Sequence, residues 1–199
     1  MKLHIDPNAT PVSRKKPLPV PIHWQEQVEE ELLRDINLGI LEKVPHGEPT
    51  DWCFPMVITR KNDGNPRRTI DLSPLNKFCK REAHTSKSPF QMARSVPASS
   101  YKTVLDVWNG FHLVELCEED RHYTTFATSL GLIRYKRAPQ GYVSSGDGFN
   151  HRVDDIMAGV ERMERCVDDS LLHDHEEDME THWWRIIDFL ELVHYLFAH

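Results

Sequence analysis

The sequence has few cysteines, and none of them is spaced like a metal ligand or a disulfide partner. The four stand far apart without a C-x-x-C pair; they are Cys53, Cys79, Cys117 and Cys166. A disulfide framework and a cysteine-based zinc site are therefore both disfavoured. The pattern favours reduced thiols in an intracellular protein, in the cytoplasm, the nucleus or both.

Long hydrophobic runs are also missing. No stretch approaches the roughly 20 apolar residues of a membrane span, and no charged-then-apolar leader precedes a small-residue cleavage site. We therefore expect neither membrane insertion nor secretion. With 199 residues, of which 39% are hydrophobic, the chain can bury the core of one domain or of two subdomains.

Positive charge is scarce overall, since the formal net charge is −7. That balance disfavours general nucleic-acid binding, which depends on Lys and Arg to neutralise phosphates. The charge is unevenly distributed, however. Residues 60–87 hold eight basic and three acidic side chains, whereas residues 164–180 hold eight acidic side chains and one arginine. The first stretch can bind phosphates, and the second can bind metal ions or face solvent.

Two adjacent aspartates interrupt an apolar segment. Asp168 and Asp169 lie within residues 166–172, and Asp106 closes a strand-like apolar run earlier in the chain. Burying unpaired carboxylates is costly unless a cation compensates for the lost hydration. Pairs of divalent ions held by shared carboxylates catalyse phosphoryl transfer, so nucleotidyl transfer is indicated. The alternative is that these are strand-end residues that face water.

The motifs around these aspartates occur in a defined order. They are a basic hairpin at 52–68, D-L-x-x-L-N at 71–76, Asp106, P-Q-G at 139–141 and x-x-D-D at 166–169. With this order the chain resembles the reverse transcriptase domain of long-terminal-repeat retroelements, most closely gypsy-like retrotransposon pol polyproteins, from about residue 6 to 192. One such motif alone would be weak evidence for the family, but five in the family's order are strong evidence.

The resemblance implies an α+β fold of polymerase fingers and palm. Its antiparallel palm sheet would carry the aspartates and be backed by helices. The expected organisation is an extended lead-in at 1–21, an N-terminal helix and fingers at 22–100 with the fingers at about 44–100, and a palm with a C-terminal helix at 101–199. The family continues into a thumb, which we expect to be absent.

Periodicity and turn residues predict the individual elements. Apolar residues at every fourth position favour a helix over 23–41, and a turn at Asp63-Gly64 favours a hairpin. Further strands are expected at 101–107 paired with 111–117, at 124–129 paired with 132–137, and at 167–172. Further helices are expected at 90–94, at 146–159, and from a capping box at Asp174 and Glu177 onward. The apolar face of this last helix is expected to consist of Met179, Trp183, Ile187, Leu190, Val193 and Phe197.

The resemblance also implies a metal site. Asp106 and Asp168 would bridge two Mg²⁺ or Mn²⁺ ions as cofactors, with Asp169 as a weaker ligand. Cys166 stands where the family usually has tyrosine. A thiol is smaller and cannot stack as a phenol does, so we expect weaker contacts to the primer end.

A zinc site in the same region is a weaker hypothesis. His173, Asp174, His175 and His182 include an H-x-H pattern, but no cysteine stands at ligand spacing. We therefore expect these residues to form a hydrated helix start.

Two cations of the fingers hairpin are assigned to the nucleotide by the resemblance. Lys61 and Arg67 would neutralise the triphosphate and the charge that develops during transfer. Their neighbours Arg60 and Arg68 are expected to face solvent.

Five other positions are assigned to the nucleotide on the same basis. Gln140 would contact its sugar and base, and Gly141 would permit close backbone approach. The Phe111 ring would exclude a 2′-hydroxyl by shape. Asn109 and Gly110 would offer backbone N–H groups to phosphates. The alternatives are an ordinary turn at Gln140 and Gly141 and a core role for Phe111.

The predicted function is RNA- or DNA-templated DNA synthesis, with a template-primer and dNTPs as partners. A second possibility is a truncated retroelement remnant that turns over slowly or not at all. A third is another palm-fold two-metal enzyme, such as a cyclase or phosphodiesterase, but this leaves the P-Q-G and D-L-x-x-L-N segments unexplained. The sequence gives no indication of oligomeric state.

Overall fold

The first 21 residues run extended and without helix in the computed structural model of this chain, as their prolines predict. They do not all stay on the surface. Leu3 is 4% exposed and lies in the core, and its N–H donates to the Asp120 carboxylate over 2.8 Å. Ile5 forms a β-bridge with Cys79. The start of the lead-in therefore packs into the folded core, whereas most of residues 7–19 are exposed.

The structure describes residues 1–81, 84, 88–107, 110–157, 159–166, 169–174 and 178–197. The chain divides into two compact units, one formed by 1–82 with 111–148 and the other by 83–110 with 149–199. Each unit combines two separate segments. The division into fingers and palm remains a prediction.

Five α-helices, three short 3-10 helices and eight strands are found in the described residues. The helices are α1 (Gln25–Asn37), α2 (Ser73–Asn76), α3 (Pro89–Ser95), α4 (Ser145–Met157) and α5 (Met179–Phe197). The strands are β1 (Leu41–Lys43), β2 (Phe54–Arg60), β3 (Pro66–Ile70), β4 (Tyr101–Asp106), β5 (Phe126–Thr128), β6 (Gly131–Tyr135), β7 (Met163–Cys166) and β8 (Asp169–Asp174). α4 carries the chain from the first unit into the second.

Helix α1 confirms the predicted amphipathic pattern but is shorter than predicted. Val28 and Leu32 are buried, as the four-residue spacing requires. The helix ends at Asn37 because Gly39 has a φ of +68°, in the left-handed region that stops a helix. Leu41, predicted to be helical, begins β1 instead.

The first unit contains a five-stranded sheet with the order β1-β6-β5-β2-β3. Both predicted hairpins, β2–β3 and β5–β6, are present and antiparallel, and β2 pairs with β5 in parallel. Phe54, Phe126 and Ile133 of this sheet are fully buried together with Leu32 of α1. The sequence did not predict β1, because three residues are too few to show an alternation.

The second unit contains an antiparallel three-stranded sheet with the order β4-β8-β7. Because β4 pairs with β8, the predicted pairing of 101–107 with 111–117 is wrong. Gly110–Leu113 forms a 3-10 turn instead of a strand. β7 was not predicted, since the charged residues Glu164 and Arg165 break its apolar pattern.

Helices α3 and α4 confirm the sequence pattern. Ser88 caps α3: its hydroxyl accepts the Gln91 N–H, and the Gln91 side chain accepts the Ser88 N–H. In α4 the apolar residues Phe149, Val153 and Met157 are all buried.

The start of α5 differs from the prediction. Asp178 caps it, because its carboxylate accepts the Thr181 N–H over 2.8 Å. Asp174, the predicted cap, is instead the last residue of β8 and is fully buried. The predicted hydrated helix start is therefore wrong for Asp174, and Glu177 and His175 lie outside the described residues.

The orientation of α5 also differs from the prediction. Among the α5 side chains that the structure describes, those of His182 and Phe189 are buried, at 3% and 7% exposure. Of the predicted apolar face, Met179, Trp183 and Leu190 are 58%, 59% and 49% exposed, whereas Ile187 and Val193 are half-buried. In the part of the chain that the structure describes, no helix combines the length and apolar character that crossing a membrane requires.

Candidate functional site

Two of the three predicted metal-binding carboxylates lie opposite each other in the second unit. Asp106 ends β4 and Asp169 begins β8, and the two are register partners across this antiparallel pair. Directly opposed residues point to the same face, with Cβ atoms about 5 Å apart. Both side chains are exposed. Two opposed negative charges repel each other, so this edge of the sheet favours a cation.

The third predicted carboxylate, Asp168, lies outside the described residues, as does Val167. Cys166, the last residue of β7, is the register partner of Asp169. Asp169 thus stands in the central strand, between Cys166 and Asp106.

The carboxylates occupy the open face of this sheet. Side chains alternate along β8, and Ser170 and Leu172 on the opposite face are buried at 3% and 0% exposure. On the face of Asp106, Val104 is 63% exposed. A large substrate can therefore reach this face without displacing the core.

The donor set suits a hard divalent cation. Carboxylate oxygens are the ligands preferred by Mg²⁺ and Mn²⁺. Among the described residues, no ion pair involves Asp106 or Asp169, and no three possible metal ligands form a cluster. The two described members of the predicted set of three, Asp106 and Asp169, fit such an ion.

The predicted phosphate-binding cations lie on the β2–β3 hairpin of the first unit. Lys61 begins its turn and Arg67 faces Thr59 across the two strands, and all three side chains are exposed. The turn is held by Asp63, whose carboxylate accepts the Asn65 backbone N–H over 3.0 Å. This hydrogen bond lowers the pKa of Asp63. The hairpin thus presents two exposed cations on an ordered turn.

Arg68 does not face solvent as predicted. Side chains alternate on β3, so Arg67 points outward and Arg68 points to the buried face. There Arg68 pairs with the Asp35 carboxylate of α1, and the two side chains are 15% and 8% exposed. The pair links α1 to the hairpin and leaves Arg67 as the outward-facing cation of the two.

The P-Q-G segment forms a tight turn in the first unit. Gly141 has a φ of +93°, which favours glycine, and a methyl group placed on it would lie 3.5 Å from the Ile70 carbonyl oxygen. Pro139 is buried, whereas Gln140 is exposed. The turn therefore lies against the end of β3 and presents Gln140 outward.

Asn76 holds this turn, a role that the sequence did not predict. Its side-chain Nδ2 donates to the Gly141 carbonyl over 2.8 Å, and its Oδ1 accepts the Val143 N–H over 3.0 Å. The residue is the final asparagine of the D-L-x-x-L-N segment. In the sequence, the only signal that the two segments meet is that the D-L-x-x-L-N and P-Q-G motifs occur in the same chain.

Phe111 and Gly110 fall in different units. Phe111 is half-buried in the first unit, where a methyl on Gly146 would lie 3.8 Å from its ring. Gly110 is buried in the second unit, and its N–H donates to the Val107 carbonyl over 3.2 Å. A phosphate would have to compete with that internal partner. Asn109 lies outside the described residues.

An ion pair with one buried partner, Asp147, lies in the region that follows the P-Q-G turn. Asp147, in the first turn of α4, accepts two hydrogen bonds from Arg81, at 2.8 and 3.3 Å. The Asp147 side chain is 5% exposed. These contacts raise the pKa of Arg81.

One family profile, described as "Reverse transcriptase (RNA-dependent DNA polymerase)", matches residues 59–195. Two curated relatives come from transposons. The retrovirus-related Pol polyprotein of transposon opus from Drosophila melanogaster is 27% identical over 189 residues, covering 92% of this chain and 18% of that polyprotein. The transposon Tf2-3 polyprotein of Schizosaccharomyces pombe is 23% identical over 161 residues, covering 80% and 12%. The chain thus spans less than a fifth of either polyprotein.

Solved structures show the same fold. The native protease-reverse transcriptase of prototype foamy virus matches with a TM-score of 0.81 at 21% identity, over 96% of this chain and 25% of that one. The foamy viral protein in complex with an RNA/DNA hybrid matches with a TM-score of 0.78 at 18% identity, over the same shares. These likenesses confirm the predicted α+β fold of fingers and palm.

Proposed function

We propose, since the chain belongs to the reverse transcriptase (RNA-dependent DNA polymerase) family, that it extends a primer 3′-hydroxyl with deoxynucleotides on an RNA or DNA template. The primer oxygen would form a bond to the α-phosphorus of a dNTP. The bond between that phosphorus and the bridging oxygen to the β-phosphate would break, pyrophosphate would leave, and the hydroxyl proton would pass to solvent. The observation that carries this proposal is the opposition of Asp106 and Asp169 on an open sheet face.

Asp106, Asp168 and Asp169 are the proposed ligands of two divalent cations. Bound there, the ions would activate the primer hydroxyl and stabilise the leaving oxygen. The contribution of the chain is to hold carboxylates in strand register, where their mutual repulsion is relieved only by positive charge. Because both described carboxylates are exposed, an ion can reach them directly from solvent.

The β2–β3 hairpin would bind the triphosphate of the incoming nucleotide. Lys61 and Arg67 project from an ordered turn into solvent, so they can approach phosphates with little reorganisation. Gln140 and Gly141 would meet the sugar and base from the P-Q-G turn. The backbone at Asn109 and Gly110 remains a further proposed phosphate contact.

The Phe111 ring is proposed to select the sugar. A fixed ring can exclude a 2′-hydroxyl by shape, and this ring lies against Gly146. Phe111→Val should therefore increase ribonucleotide incorporation, by about a hundredfold relative to deoxynucleotides. Unchanged discrimination in single-nucleotide extension assays would show that Phe111 is simply a packing residue.

Primer extension on a defined template tests the proposed function. At low salt with Mn²⁺, the chain should add dNTPs, and Asp106→Asn and Asp168→Asn should each reduce the rate at least about a hundredfold, because each removes a metal ligand. Asp155→Asn is the matched control, because Asp155 is an exposed carboxylate on α4. A wild-type chain that adds no nucleotide, or aspartate variants as active as the control, would refute the proposal.

Thermal denaturation gives a second readout that does not depend on turnover. A cation that binds the folded state alone raises its stability by mass action. Mn²⁺ should therefore raise the melting temperature of the wild type and of Asp155→Asn, and should raise it less in Asp106→Asn. Equal shifts of the melting temperature in all three proteins would show that Asp106 does not bind the ion.

A further inference from the structure

We infer that Asn76 is a positioning residue, which fixes the P-Q-G turn and thereby the place of Gln140. This inference rests on the proposed function, in which Gln140 contacts the incoming nucleotide. It adds a residue that would act on nucleotide binding without touching the nucleotide.

The contacts of Asn76 engage both ends of its amide group. Nδ2 donates to the Gly141 carbonyl at 2.8 Å, and Oδ1 accepts the Val143 N–H at 3.0 Å. A side-chain amide supplies a donor and an acceptor side by side, and aspartate of the same shape supplies acceptors alone. The two bonds therefore require asparagine and tie down the backbone immediately after Gln140.

The other side of Gln140 is anchored independently. The Ser145 hydroxyl donates to the Pro139 carbonyl over 2.6 Å, and the Ala138 N–H donates to the Val114 carbonyl over 2.8 Å. Ser145 is 2% exposed, so this anchor is shielded from water. Gln140 is thus the exposed residue of a turn that is held on both sides.

Asn76 itself stands on a rigid support. It ends α2, and its backbone N–H donates to the Leu72 carbonyl over 2.9 Å. Leu72 and Leu75 are 1% and 0% exposed and belong to the core of the first unit. Through Asn76, the core therefore determines where the backbone next to Gln140 lies, and a residue that must be precise is best placed on such a support.

A positioning role and a purely structural role predict different double-mutant behaviour. If Asn76 acts through Gln140, then Asn76→Ala has nothing further to remove once Gln140→Ala is present. If it acts through general stability, the two effects multiply, because independent sites contribute independently. The same comparison applies to Ser145→Ala, which releases the other side of the turn.

The experiment is steady-state primer extension with the four proteins of this cycle, namely the wild type, both single variants and the double variant. Asn76→Ala should raise the KM for dNTP by about tenfold to a hundredfold, the cost of a misplacement of about 1 Å, and leave the Kd for template-primer unchanged. The double variant should be no worse than Gln140→Ala. Multiplying effects, or an equal loss of template-primer binding, would overturn the inference.

Two further measurements distinguish a local effect of the Asn76 substitutions from a general folding defect. Asn76→Asp keeps the shape and the acceptor for Val143 but places a carboxylate oxygen against the Gly141 carbonyl, so it should raise the KM for dNTP at least as much as alanine. Amide exchange should accelerate at Val143 in Asn76→Ala, which removes the acceptor of the Val143 N–H, and stay unchanged at Ile133 of β6. Slow exchange at Val143 in Asn76→Ala would overturn the inference. A wild type without primer extension refutes the proposed function itself, whereas an active wild type with multiplying effects refutes only the role of Asn76.

Discussion

At the scale of single residues, Gly110 is constrained by what lies beside it. A methyl group on this residue would stand 2.7 and 2.8 Å from two carbon atoms of the Phe149 ring and 3.3 Å from Val107. The first two distances are well inside van der Waals contact. Phe149 is fully buried, so its ring has little room to move away. The absence of a side chain at Gly110 is thus a packing requirement.

Gly110→Ala should accordingly destabilise the protein. Overpacking of this kind lowers the free energy of unfolding by about 1–3 kcal/mol. Chemical denaturation of the two proteins measures the difference. Gly159→Ala is the control, because a methyl there meets no atom within 4 Å among the described residues. If both alanine variants unfold like the wild type, the Phe149 ring can shift at no cost.

At the scale of elements, the orientation of α5 is set by one buried ion cluster. Asp174, at the end of β8, is fully buried, and its carboxylate accepts hydrogen bonds from His182 over 2.6 Å and from Arg185 over 2.5 Å. His182 in turn lies 2.8 Å from the Thr103 hydroxyl of β4. The cluster therefore joins α5 to two strands of the same sheet.

This cluster makes stability depend on pH. Burial acts to raise the pKa of Asp174, but the hydrogen bonds from His182 and Arg185 outweigh it and hold that pKa below its usual value. A carboxyl whose pKa is lower in the folded state adds stability above its unfolded pKa of about 3.9, and that stability is lost as pH falls through the folded value.

Asp174→Asn should remove that part of the acid dependence. We expect a loss of about 3 kcal/mol at neutral pH, since one partner of a buried ionic group is removed, and a flatter loss of stability below about pH 4. Denaturation at a series of pH values measures both. Asp188→Asn, an exposed change on the same helix, should follow the wild type. An unaltered acid slope in Asp174→Asn would contradict this account.

The elements also show how far the sequence determines the fold. Both hairpins of the first unit were predicted, because each has two strand-like segments on either side of a turn that contains glycine. The orientation of α5 was not, since Trp183 and Leu190 are as hydrophobic as Phe189 and only the tertiary contact between Asp174 and His182 decides which residues turn inward. The 3-10 turn at Gly110–Leu113 was missed for the same reason, because its partner Phe149 is distant in the chain.

The positions of candidate site residues could be predicted from the sequence where those residues belong to a motif. The sequence alone placed Asp106 and Asp169 on strands, and the register of β4 with β8 brings them opposite each other. It could not show which of the adjacent residues Arg67 and Arg68 is buried, because that depends on the ion pair between Arg68 and Asp35 of α1. Asn76 was missed because a hydrogen bond across 65 residues leaves no local pattern.

At the scale of the whole molecule, the net charge of −7 conceals a local surplus of positive charge on the β2–β3 hairpin. Binding to a nucleic-acid backbone releases counterions, and the dependence of affinity on salt reports how many cations take part. An acidic chain that binds through a few cations should bind weakly and with strong salt dependence.

Fluorescence anisotropy of a labelled template-primer measures this dependence. Affinity should fall steeply as salt rises, and Lys61→Gln and Arg67→Gln should each lower the slope of log affinity against log salt by about one. Lys43→Gln, at an exposed position on β1, is the control and should leave the slope unchanged. Tight binding that is insensitive to salt would contradict the assignment of the hairpin.

The strand order of the first unit has a consequence for synthesis on the ribosome. β1 and β2 emerge early, but in the finished sheet the β5–β6 hairpin lies between them. Until residues 126–135 have emerged from the ribosome, β1 therefore has no strand partner and β2 has one unpaired edge, and pairing between segments so distant in the chain is slow to form. In that interval the nascent chain carries bare strand edges that can pair with other chains. A translational pause before residues 126–135 have emerged should thus favour aggregation, and a pause after they have emerged should not.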